Sequence, residues 1–152
     1  MAHVEFSRNH LFHKLPESLA SLLFEAGEVS DIPAGTIIVN EGEALDRLFV
    51  VLSGNVEVYL PESGSRFSPV RLTAMGPGDC FGEYGFVDRQ PASASIRSIE
   101  PVELYGIPFQ TLHKFLDSHH SVAAIVYKNL LAILVKRLRA SNAELDLFNF
   151  PE

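Results

Sequence analysis

The chain has 152 residues, with 12 basic against 19 acidic for a net charge of −7, and 47% of it is hydrophobic, including 11 phenylalanines. That size suits one domain with a substantial core, or a small domain with an appended helix, and the acidic balance argues against a nucleic-acid footprint, which needs a clustered basic face. The single cysteine, Cys80, excludes an internal disulfide framework or cysteine-ligated cluster; with no apolar run of membrane-spanning length and no signal-peptide pattern, the expected location is the cytoplasm.

Residues 1–27 read as an N-terminal helical segment. Within it Pro16 to Ala26 predicts a short amphipathic helix, with Leu19, Leu22, Leu23 and Ala26 on one side and Gly27 placed to stop it. From residue 28 to residue 107 the pattern changes to short strand-like runs broken by glycine. These are Thr36–Val39, Leu48–Ser53, Asn55–Leu60, Val70–Met75, Ser93–Ile96 and Val102–Ile107. Val56, Val58 and Leu60 alternate with Glu57 as in a half-buried strand, and Ser53-Gly54-Asn55 reads as a tight hairpin. Many short strands at regular spacing predict a sandwich or jelly-roll barrel, mainly β with flanking helices. Cys80, beside Phe81 in an apolar strand context, reads as a buried and inert thiol.

Residues 108–152 turn helical. Pro108 opens a short helix through Leu116, His119-His120 marks a junction, and a long helix follows from Ser121 to Phe148. At 1.5 Å per residue it would span roughly 42 Å, longer than a small roll needs to cover itself. Tyr127, Leu131, Leu134, Leu138, Ser141, Leu145 and Phe148 recur at steps of four and three. That is a heptad seam with one polar interruption, and it predicts a homodimer through this helix. The alternative is a stripe packed only on its own roll.

The segment Phe81-Gly82-Glu83-Tyr84-Gly85-Phe86-Val87-Asp88-Arg89-Gln90-Pro91-Ala92-Ser93-Ala94-Ser95-Ile96-Arg97-Ser98 carries most of the chemistry. It resembles the phosphate-binding cassette of the cyclic-nucleotide-binding domain family, in the form of the catabolite-activator-type sensor domain. The family pattern is roughly Phe-Gly-Glu, a short apolar turn, Pro-Arg-Ala-Ala/Ser, then a β-branched strand. Gly82, Glu83, Pro91, Ser93 and Ile96 fall where the pattern wants them, but Ala92 stands in the place of its arginine. Ile32–Glu43 looks like the family's first β-roll hairpin, Leu48–Val58 like its next, and Gly76–Glu83 like the approach to the cassette.

The resemblance implies a double-stranded β-helix, a jelly-roll-like β-roll, with a short N-terminal and a long C-terminal helix. It implies a ligand site at Phe81, Gly82, Glu83, Tyr84, Ala92 and Ser93. The expected ligand is cyclic AMP or cyclic GMP, with the backbone after Gly82 cradling the phosphate and Glu83 accepting from a ribose 2′-hydroxyl. An arginine fork would add charge and two aligned bonds. Losing one partner of such a pair typically costs about 2–5 kcal/mol, roughly thirty-fold to several-thousand-fold in affinity. Arg89 and Arg97 are the replacement cations within reach in the sequence, or else surface charges. In the catabolite-activator type a Thr-Ser pair on the long helix meets the purine, and aligning Lys136-Arg137-Leu138-Arg139 puts Ser141-Asn142 at that pair. A polar residue in a seam also serves to set register.

Residues 1–152 leave no stretch for a helix-turn-helix domain after the long helix, so direct DNA binding by them is not expected. Catalysis is not expected either. The histidines, His3, His10, His13, His113, His119 and His120, avoid the strands on which a jelly-roll metal site would be built, and no nucleophile elbow or phosphate loop is present. Two readings remain: a stand-alone ligand sensor with a weakened phosphate site, signalling through its C-terminal helix, and a ligand-independent dimerisation or protein-docking module with a degenerate cassette. Neither calls for a metal or a cofactor.

Overall fold

The computed structural model describes Phe6 and residues 8–148, with the side chains of 145–148 outside the described residues. Helix α1 (Glu17–Glu25) is followed by strands β1 (Glu28–Ile32), β2 (Ile37–Val39), β3 (Arg47–Ser53), β4 (Val56–Leu60), β5 (Val70–Met75) and β6 (Cys80–Phe81). Then come α2 (Glu83–Asp88), β7 (Ser95–Ser98), β8 (Val102–Pro108), α3 (Phe109–Ser118) and α4 (His120–Phe148). The strands form two antiparallel four-stranded sheets, ordered β1-β8-β3-β6 and β2-β7-β4-β5. This is the expected β-roll.

Its wiring differs from the local reading. Ser53-Gly54-Asn55 joins β3 to β4, yet β3 pairs with β8 and β6 while β4 pairs with β5 and β7. The turn is a corner where the chain changes sheets, not a hairpin. The same holds for Ile32–Glu43, because β1 pairs with β8 and β2 with β7. Among consecutive strands β4 and β5 do pair directly. A bulge between Val58 and Tyr59 breaks the simple alternation of β4, so Tyr59 is buried and Leu60 only half-buried.

β3 and β8 are covered on both faces, which explains their near-continuous apolar runs. Leu48, Val50, Leu52, Tyr105 and Ile107 pack under α1, α3 and the first half of α4, against Leu23, Leu112, Leu116, Val122 and Val126. Val51, Val102 and Leu104 face the other way, into a second cluster between the sheets with Val39, Val56, Phe81 and Ile96. The Tyr105 hydroxyl donates to the Leu23 carbonyl at 2.6 Å and pins α1 to the sheet. Burial raises the phenol pKa, which keeps it a donor. Leu22, placed on the apolar side of α1 by its spacing, is exposed.

Pro108 ends β8 and caps α3 rather than sitting inside its first turn. α4 begins at His120, one residue before the expected start. Among the described residues no helix is long and apolar enough to cross a membrane.

Candidate functional site

A cavity of about 720 Å³ opens between the β2-β7-β4-β5 sheet, the 81–96 segment and one face of α4. Its volume lies in the ordinary range for small-molecule sites. On the roll side the wall is apolar, with Val39, Leu45, Val58, Met75 and Ile96. The α4 side presents Asn129, Ile133, Arg137 and Ser141, four residues apart along one helical face.

Gly82 shapes the entrance to the segment. Its φ is +88°, and a Cβ there would lie 2.7 Å from the Arg47 carbonyl oxygen, so no other residue fits without moving β3. The tight turn delivers Glu83 inward at the start of α2, and Glu83 is only 2% exposed. Arg137 reaches down from α4: Nη1 donates to Glu83 Oε1, and Nη2 donates to the Cys80 carbonyl at 2.8 Å. The second carboxylate oxygen, Oε2, is buried and has no hydrogen-bond partner among the described residues. Burial pushes the adjacent Cys80 thiol up to about 11, so it is protonated at neutral pH and is no nucleophile.

Ala92 lines the cavity half-buried, with its main chain already committed. Its N–H donates to the Glu43 carbonyl at 2.8 Å, and its own carbonyl accepts from the Gly42 N–H at 2.8 Å. Phe81 stacks on Phe49 with centroids 5.0 Å apart and forms the floor, while Tyr84 and Ser93 stand exposed on the lining. The two expected replacement cations point elsewhere. Arg97 faces the outside of β7, where it meets its cross-strand neighbour Glu57 at 3.2 Å and lies 4.7 Å over the Tyr59 ring. Arg89 is an exposed C-cap of α2 in the left-handed region, at φ +58°, away from the lining. Of the expected helix pair, Ser141 lines the cavity and Asn142 does not.

Arg137 and Asn129 were missed as site residues. Arg137 lies one turn before Ser141, so placing Ser141 at the ligand already placed Arg137 on the same face. Asn129 donates to the Leu11 and His13 carbonyls at 2.9 and 3.0 Å, tying the N-terminal segment across the end of the cavity. On the opposite helical face Tyr127, Leu131 and Leu138 are exposed, the two leucines at 62%, and Val135 joins them. Leu134 instead packs half-buried on the core. Leu145 and Phe148 have side chains outside the described residues. No group of three or more metal-ligating side chains converges among the described residues.

The family model for the cyclic nucleotide-binding domain matches residues 29–119. The chain belongs to that family. Within it, the chain is 30% identical over 145 residues to the cyclic AMP receptor protein of Thermus thermophilus, covering 93% of this chain and 63% of the relative. It is 34% identical over 116 residues to glutaminase 2 of Bradyrhizobium diazoefficiens, covering 76% of this chain and 18% of that protein. A solved cyclic nucleotide-binding domain from Methylobacillus flagellatus superposes with a TM-score of 0.87 at 21% identity, over 99% of this chain and 85% of that one, which speaks for the fold. The chain thus spans less than two thirds of the length of the Thermus relative.

Proposed function

We propose that this cyclic nucleotide-binding domain is a sensor whose cavity takes a cyclic nucleotide or related small molecule, with a weakened phosphate site, and signals through α4. One observation carries the reading. Glu83 is a buried carboxylate on a cavity wall, with one oxygen held by α4 through Arg137 and the other without a partner. Oε2 is closed off in this structure, so a ligand hydroxyl reaches it once Glu83 turns toward the cavity, and pairing it removes the cost of about 1–3 kcal/mol that an unpaired buried acceptor carries. Ala92 supplies neither charge nor a free N–H to a phosphate.

Because the same carboxylate holds Arg137, a ligand at Glu83 acts directly on the position of the helix. The exposed face of Tyr127, Leu131 and Leu138 supports a homodimer in which two copies of α4 meet. The cytoplasmic setting and the absence of catalysis remain part of this proposal.

Calorimetric titration with cyclic AMP and cyclic GMP tests the sensor. Glu83→Gln should weaken any binding, and Ala92→Arg should strengthen it. No response to either nucleotide at millimolar concentration removes the cyclic-nucleotide version. The second reading, a ligand-independent dimerisation or docking module, is favoured by the Glu83–Arg137 contact, which fastens roll to helix through the chain's own side chains. It requires that dimerisation be the same with and without cyclic AMP or cyclic GMP.

A further inference from the structure

The charges around the cavity narrow the ligand class. Two basic residues line it, Lys136 and Arg137, against three carboxylates, Asp79, Glu83 and Glu144. Arg137 is spent on Glu83 and the Cys80 carbonyl. Lys136 is exposed, so solvent screens it. His10 lies 3.1 Å from Asp79. His13 has its pKa lowered by burial, then by Lys14 and His10, and is uncharged at neutral pH. An anion entering here would meet Glu83 with no free cation in the interior among the described residues and Ala92 where a counter-charge would stand.

What the cavity lining offers instead is Glu83, whose Oε2 is buried without a partner, beside an apolar roll-side wall. We infer that the preferred ligand is an uncharged molecule with an apolar or aromatic body and at least one hydroxyl group, a nucleoside-type compound rather than its cyclic phosphate. This rests on the reading of the cavity as a ligand site and deepens it. The hydroxyl donates to Glu83 Oε2 while Arg137 keeps Oε1, so charge is balanced before and after binding. A phosphate adds one negative charge beside a carboxylate, and the site discriminates against it by that repulsion.

Adenosine and cyclic AMP serve as the probes, titrated into the full chain at neutral pH and followed by heat and by backbone amide spectra. Adenosine should bind more tightly than cyclic AMP by about tenfold or more, and its affinity should hardly change between low and high salt. In Ala92→Arg the order should reverse. If that variant does not fold, the comparison on the natural chain decides alone. Cyclic AMP binding as tightly as adenosine, or more tightly, overturns the inference and leaves the ligand site standing. Neither compound perturbing heat or spectra at millimolar concentration overturns both.

Discussion

At the scale of single residues, the contact between Glu83 and Arg137 concentrates the energetics of the site. Removing one member of a buried ion pair strands the other and typically costs about 3–5 kcal/mol, although the intact pair adds less. Arg137 is partly exposed, which softens the loss on its side. Arg137→Ala, which leaves the Glu83 carboxylate buried, should therefore destabilise more than Arg137→Ala combined with Glu83→Gln. Urea denaturation of the two variants measures this; equal losses would mean that the pair is not coupled. Cys80 provides an independent pH signal. Its thiol rises from an ordinary 9.0 to about 11 on folding, mainly through burial. The neutral form is favoured in the folded state, so this contribution is fully present below pH 9 and is lost as pH rises toward 11. The loss reaches about 1 kcal/mol at pH 10. Comparing stability at pH 8 and pH 10 should show a smaller fall in Cys80→Ala than in the natural chain. An equal fall assigns the alkaline loss to other groups.

At the scale of elements, the strands were readable because β-branched and aromatic runs end at glycines that the backbone needs. Their partners were not readable. A corner such as Ser53-Gly54-Asn55 has the composition of a hairpin, and only the demands of two stacked sheets send β4 away from β3. β1 was overlooked because its residues are mostly exposed and polar, whereas Cys80-Phe81 already read as a strand context and forms β6. Gly82, Glu83 and Ala92 were legible as a motif. Arg137 and Asn129 acquire their roles from how α4 docks, which no local pattern records. The outer face of α4 has a test of its own. If two copies meet there, Leu131→Asp with Leu138→Asp should convert a dimer into a monomer by light scattering, while the melting profile of the roll stays intact. A dimer that survives both changes would place the interface elsewhere.

At the scale of the whole molecule, α4 joins the core, the N-terminal segment and the Glu83 turn. Its first half is buried under the sheet through Val122, Val126 and Leu130. Asn129 holds the N-terminal segment, and Arg137, two turns later, holds the Glu83 turn. These contacts share one rigid rod, so a shift of the rod at Arg137 is felt at Asn129. The N-terminal segment is held by its side chains as well: Phe6, Leu11 and Phe12 are buried in the same core as β3 and β8, and the His10 N–H donates to the Gly78 carbonyl at 2.9 Å. Asn129→Ala removes two donors and leaves two carbonyls unpaired, at a cost of about 1–3 kcal/mol. Local opening should follow, because the lost bonds fall on the backbone of this segment while the β3–β8 ladder is untouched. Hydrogen exchange should therefore quicken at His10, Leu11 and Phe12 in Asn129→Ala, with β3 and β8 amides keeping their protection. Quickening throughout β3 and β8 would mean that Asn129 supports the whole fold, and no change at His10–Phe12 would mean that the segment is held without it.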